Sequence, residues 1–176
     1  TEQELIFLAK DIPSVGYRLF WLCPQRTDSK RPILEQQEYI LENQYLKVVV
    51  DSETGNLNSI YDQKNNQELL SNPGNKLQAF DDRGQYWDAW NIDPEYEQKQ
   101  LPEPKLESIK WIEDGKLEQK IRVIKHLNQS EFIQEYILQD NSPMLKIANT
   151  VDWQETHVMV KVAFPLNINS DHVTCE

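Results

Sequence analysis

Glycine, methionine, histidine and cysteine are all scarce in this chain, at 5, 2, 3 and 2 of 176 residues. Each scarcity excludes something. Five scattered glycines form no Gly-x-Gly-x-x-Gly loop, so the chain lacks a backbone cradle for phosphates. Cys23 and Cys175 lie near opposite ends and make no framework of the kind that staples small secreted domains. That usage fits a reducing, cytoplasmic setting, with one long-range disulfide as the alternative. His126, His157 and His172 share no metal-ligand spacing, and His172-x-x-Cys175, the one local pair, reads as ordinary surface residues. Ser71, Ser130 and Ser142 stand in polar turns without a Gly-x-Ser-x-Gly context. Positive charge is also short: 18 Lys and Arg face 29 Asp and Glu, for a net charge of −11 and a pI near 4.7. Such a surface opposes nucleic acid and anionic membranes. No apolar run approaches the roughly 20 residues of a membrane helix, and the acidic start Thr1-Glu2-Gln3-Glu4 is unlike a signal peptide. The first residue is not Met, so processing or excision from a longer protein is expected.

What the chain does have is aromatic bulk and alternation. Five Trp, seven Tyr and five Phe provide the large side chains that a disordered acidic tail lacks. Period-two patterning dominates the second half: Phe132, Tyr136 and Leu138 with Gln134 the exception, then Leu145, Ile147, Val151 and Trp153, then Val158, Val160, Val162 and Phe164. Each reads as a strand with one buried face. Asp114-Gly115, Asn128-Gln129, Asp140 to Pro143 and Gln154-Glu155 separate these runs, predicting an antiparallel meander of five strands over 105–164. Residues 45–51 and 57–61 form another hairpin around Ser52-Glu53-Thr54-Gly55, where Gly55 can take positive φ. Polar breaks follow at 62–66 and 72–75. Further strands are expected over 4–10 and 14–22, with a linker at 27–32, whereas no segment of ten residues reads as a helix. The expected organisation is N-terminal strands and a linker over 1–34 and an all-β antiparallel sandwich over 35–176. The chain ends inside an incipient strand, 172–175, which suggests that the sandwich is cut before its end.

One stretch has the composition of a recognition surface. Phe80 to Tyr96 is dense in aromatics and acids, and residues 81–100 hold six acids against two bases. Indole faces stack on the apolar C–H faces of a sugar, while Asp and Asn exchange hydrogen bonds with its hydroxyls. Alternatively, Trp87 and Trp90 anchor a long loop to the sandwich, since Trp is usually well buried. Both roles suit a functional segment held on a rigid scaffold.

The same residues resemble a known family. Asp81-Asp82 followed by Tyr86-Trp87-Asp88-Ala89-Trp90-Asn91-Ile92-Asp93 is similar to the Asp-Asp-x-Pro-x-x-Trp-Asp-Ala-Trp-Asp signature of glycoside hydrolase family 38 α-mannosidases, especially the cytosolic and vacuolar type. Gly84 replaces the family's Pro, and Asn91 its Asp. In family order, Ile12-Pro13-Ser14-Val15-Gly16-Tyr17 resembles the Val-Pro-x-x-Gly-Tyr strand. Leu41-Glu42-Asn43 and Gly55-x-Leu57-x-Ser59-Ile60-Tyr61-Asp62 resemble its Leu-Glu-Asn hairpin, and Glu68-Leu69-Leu70 with Gly74-Asn75-x-Leu77-Gln78 extends it.

The resemblance implies a retaining exo-α-mannosidase whose zinc, aspartate nucleophile and acid/base sit on an N-terminal barrel, followed by a helical bundle and β-sandwich domains. No His-x-Asp pair and no Gln-His-His-Asp segment occurs here, so catalytic residues and zinc ligands are expected outside this chain, which would bind no metal itself. The chain would be a portion of the family's galactose mutarotase-like supersandwich, inactive alone and packed with the missing catalytic and helical domains. Loop 81–96 would reach the cleft that takes a terminal α-mannoside, with Trp87, Asp88, Trp90 and Asp93 as substrate-cleft candidates. A free-standing carbohydrate-binding module and a purely structural interaction sandwich are the alternatives.

Overall fold

A computed structural model describes residues 7–23, 38–84, 86–87 and 90–172. The chain divides into two compact units, 1–37 and 38–176.

In the first unit, residues 7–23 form no strand, which corrects the expectation of strands over 4–10 and 14–22 as far as it falls on them. Pro13 offers no backbone donor and Gly16 takes φ +137°, so the apolar pattern is interrupted where a ladder would have to run. Local contacts hold the segment instead: the Arg18 guanidinium donates to the Lys10 carbonyl at 3.1 Å, and the Phe7 and Phe20 rings meet at 5.3 Å. Residues 4–6 of the expected strand and the linker at 27–32 lie outside the described residues.

Among its described residues the second unit carries ten strands: β1 (Tyr39–Glu42), β2 (Leu46–Val50), β3 (Leu57–Asp62), β4 (Gln67–Glu68), β5 (Lys76–Asp81), β6 (Lys105–Asp114), β7 (Glu118–Leu127), β8 (Ser130–Gln139), β9 (Leu145–Asp152) and β10 (Val158–Ala163). One antiparallel sheet has the order β1-β2-β3-β4, a second β6-β7-β8-β9, and β5 pairs with β10 in a two-stranded ribbon. The fold is therefore all-β and antiparallel, as the alternation indicates.

The alternating residues build one core between the sheets. Leu41, Val48 and Leu57 from the first sheet pack with Ile121, Val123, Tyr136 and Leu138 from the second. Each such side chain contributes on the order of 1.5–3 kcal/mol by leaving water. Two connections pin the sheets in register. The β2–β3 turn places Gly55 at φ +66°, where an added Cβ would come within 2.4 Å of Val123, so glycine answers both the backbone and the space. The Tyr136 hydroxyl, fully buried, donates to the Gly55 carbonyl at 2.8 Å and accepts from Asn75 Nδ2 at 2.7 Å.

The five-strand meander is corrected to four. β10 leaves the sheet after β9 and joins β5, pairing Val158 with Asp81 and Ala163 with Lys76. The cause lies in the connection. The Glu155 carboxylate accepts from Asn128 Nδ2, the Gln129 amide and the Ser130 hydroxyl, while the Ser130 oxygen accepts the Gln154 amide at 2.9 Å. These bonds draw the chain across the β7–β8 turn instead of back along β9. Val158 and Val160 then pack on Leu77, Ala79, Leu127 and Phe132 in a second apolar cluster.

Candidate functional site

The aromatic and acidic stretch leaves the end of β5 and returns to the same ribbon. Its base is closed on both sides: the Asp82 amide bonds to the His157 carbonyl at 2.8 Å, the Asp81 amide to the Lys99 carbonyl at 2.9 Å, and Phe80 bridges to Gln100. Inside this neck, the Asp82 carboxylate accepts the Asp93 amide at 2.8 Å. Asp93, only 4% exposed, accepts the Glu95 amide with one oxygen and pairs with Lys99 Nζ at 2.6 Å with the other. A single 3-10 turn, Tyr96–Gln98, completes the return. Tyr96 stands edge-on to Phe80 at 5.2 Å and receives the Lys161 ammonium on its hydroxyl at 2.6 Å.

The tip is built differently. Tyr86, Trp87 and Trp90 are 76%, 78% and 89% exposed. Trp87 takes φ +58°, a left-handed conformation costly for a bulky side chain, and its carbonyl accepts the amides of both Trp90 and Asn91. The two indoles therefore do not serve as anchors on this sandwich. Asp93, Lys99 and Tyr96 hold the loop instead, and the indoles project from it. Of the four candidates named from the sequence, Trp87 and Trp90 stand on the tip and Asp93 lies in the neck. Asp88 lies outside the described residues.

The electrostatics follow from the same contacts. The Lys99 ammonium, then the Glu95 amide, hold the Asp93 carboxyl below the usual range, and Asp93 in turn raises Lys99. Asp93 is thus held ionised, the reverse of what a general acid requires. Nor does the loop fit a zinc site: no histidine occurs between 81 and 100, and both oxygens of Asp93 are engaged.

Two further groups escaped the sequence reading. Lys125 is buried at the inner face of β7, donates to Asn56 Oδ1 at 2.6 Å and borders a cavity of about 370 Å³ that Glu53, Leu77 and Glu103 also line. Burial lowers its pKa to about 8 against the opposing pull of Glu103 and Asp51. Glu107, His126 and Glu131 meet on the outer face of the second sheet from three different strands. Their positions, 19 and 5 residues apart, carry no local spacing that could have marked them.

Comparison with known proteins covers both units. Residues 41–176 match the family model described as glycosyl hydrolases family 38 C-terminal domain. The chain is 28% identical to Alpha-mannosidase 2C1 of Mus musculus over 94% of its length, and to the Homo sapiens protein of that name to the same extent. It is 30% identical to Alpha-mannosidase G of Dictyostelium discoideum over 79%. It spans only 17%, 17% and 13% of those relatives. With a sandwich-like antiparallel fold and a family model matched over most of its residues, this chain belongs to the family 38 glycosyl hydrolases, in their C-terminal domain.

Proposed function

We propose that this chain is the β-sandwich portion of a retaining exo-α-mannosidase, and that its aromatic loop lines or braces the cleft for a terminal α-mannoside. The observation that carries the reading is the contrast within the loop: a neck fixed by Asp82, Asp93, Lys99 and Tyr96, and a tip whose Trp87 and Trp90 indoles are turned to solvent. Rings held out at fixed positions suit stacking on a pyranose face or closure against a neighbouring domain. The loop's own chemistry is positioning. A retaining glycosidase needs one carboxyl as nucleophile and one protonated as acid, and Asp93 is held ionised by Lys99. Those groups, and the zinc that would polarise sugar hydroxyls, are assigned to residues outside this chain. The cysteine usage supports a cytoplasmic location.

The test is kinetic. In the enzyme that includes the upstream domains, Trp87→Ala and Asp88→Asn are expected to lower kcat/KM for a nitrophenyl α-mannoside at least tenfold with little change in melting temperature; unchanged kinetics would overturn the reading. The 176-residue chain alone is expected to show no turnover with zinc. If it nevertheless binds mannosides without the upstream domains, it acts as a carbohydrate-binding module instead.

A further inference from the structure

The outer face of the second sheet carries a row of charge that the fold alone does not require. The buried Val123, Lys125 and Leu127 give β7 its inner face, so His126 points to the other side. The register sets Lys105, His126, Glu131 and Asp152 side by side across β6, β7, β8 and β9. Glu107 joins them through a bulge: Leu106 faces Lys125 and Ser108 faces Ile124, leaving Glu107 as the extra residue of β6. Its carboxylate meets His126 Nε2, and Glu131 Oε2 lies 3.8 Å from the same nitrogen. One ligand atom from each of the three falls within 4.8 Å of the others.

Two carboxylates this close repel, and Asp152 directly opposite Glu131 adds a third on the same face. Lys105, opposite His126, balances part of that charge. A divalent cation balances it more completely and uses the atoms that already converge. We infer that Glu107, His126 and Glu131 form a binding site for a divalent transition-metal ion of the zinc type. One imidazole nitrogen and two carboxylate oxygens are a borderline-hard donor set, suited to Zn²⁺ with water in the remaining position. Calcium and magnesium prefer more oxygens and no imidazole. Bonds of about 2.0–2.2 Å place neighbouring ligand atoms roughly 3.3 Å apart on a tetrahedron, a spacing that small rotations of Glu107 and Glu131 provide. The bound ion ties β6, β7 and β8 together on the solvent side, opposite the apolar core.

Zinc chloride titrated calorimetrically into the metal-free 176-residue chain tests this. One equivalent should bind. Glu107→Gln and His126→Gln should each weaken binding at least tenfold, whereas His172→Gln, which removes the only local His–Cys pair in the sequence, should leave it unchanged. Circular dichroism checks that the variants keep their strands, and Glu107, exposed on the outer face, can be replaced without touching the core. The inference falls if the parent chain binds no zinc, if either Glu107→Gln or His126→Gln retains the parent affinity, or if His172→Gln abolishes binding.

Discussion

Lys125 sits among the alternating inward residues of β7, where its neighbours are Val123 and Leu127. Its amine titrates near 8 in the fold and near 10.5 in an unfolded chain. Between those values the unfolded chain holds the extra proton, so stability rises with pH from about 8 to 10.5; below that window burial of the charge opposes folding at a constant level. Urea unfolding across pH 7–11 should show that rise, and Lys125→Met should remove it relative to the parent chain. A parallel rise in both proteins would mean that Lys125 is not its source. Tyr136 is the polar counterpart. Its buried phenol stays protonated because burial pushes its pKa up, and it joins the Gly55 carbonyl to the Asn75 amide. Tyr136→Phe leaves both groups unpaired and should cost about 1–3 kcal/mol in urea unfolding. Neither role was legible in the sequence. Alternation marks position 136 as inward, but a hydroxyl's partners 61 and 81 residues away depend on how the two sheets meet. Gln134 makes the same point: the exception to the pattern is in fact buried with its strand, its amide donating to Asn149 while its own oxygen lacks a partner.

Strand existence was legible where alternation met a polar turn. β2, β3 and β6 to β9 fall where the pattern places them, and positive φ at Asn128 and Gly55 fits the turns read there. Strand partners were less legible, because Val158 to Ala163 carries the same alternation whichever neighbour it takes. The decision belongs to Ser130 and Glu155, which steer the connection toward β5. Ser130→Ala removes two of those bonds from a fully buried position and should cost on the order of 1–2 kcal/mol. Hydrogen exchange should quicken in Val158–Ala163 more than in β7; equal loss of protection in both would assign Ser130 to general packing. At the N-terminal end, residues 14–22 show the opposite failure: an apolar pattern interrupted at Pro13 and Gly16, with no ladder partner among the described residues of that unit, yields no strand.

Across the molecule, the family-like residues became a place as well as a motif. Composition alone marked 81–100 as aromatic and acidic, but could not separate holding from reaching. Among the described residues, Asp82, Asp93, Lys99 and Tyr96 hold the loop, and the Trp87 and Trp90 side chains are exposed. The outer-face trio was illegible for the reason that makes metal sites hard to find in sheets: register, not sequence spacing, brings the donors together. No helix among the described residues is long and apolar enough to cross a membrane.

The β5–β10 ribbon carries a consequence for the order of assembly. The hairpins of both sheets close over short turns, whereas Lys76 must find Ala163 and Asp81 must find Val158 across a loop of roughly 80 residues, an entropic cost that only a preformed scaffold can offset. Because the Asp82 amide bonds to the His157 carbonyl and Lys161 meets the Tyr96 hydroxyl at the mouth of that ribbon, the base of the aromatic loop is completed when β10 docks. A nascent chain released before β10 would hold a folded meander and an aromatic loop without its contacts to His157 and Lys161.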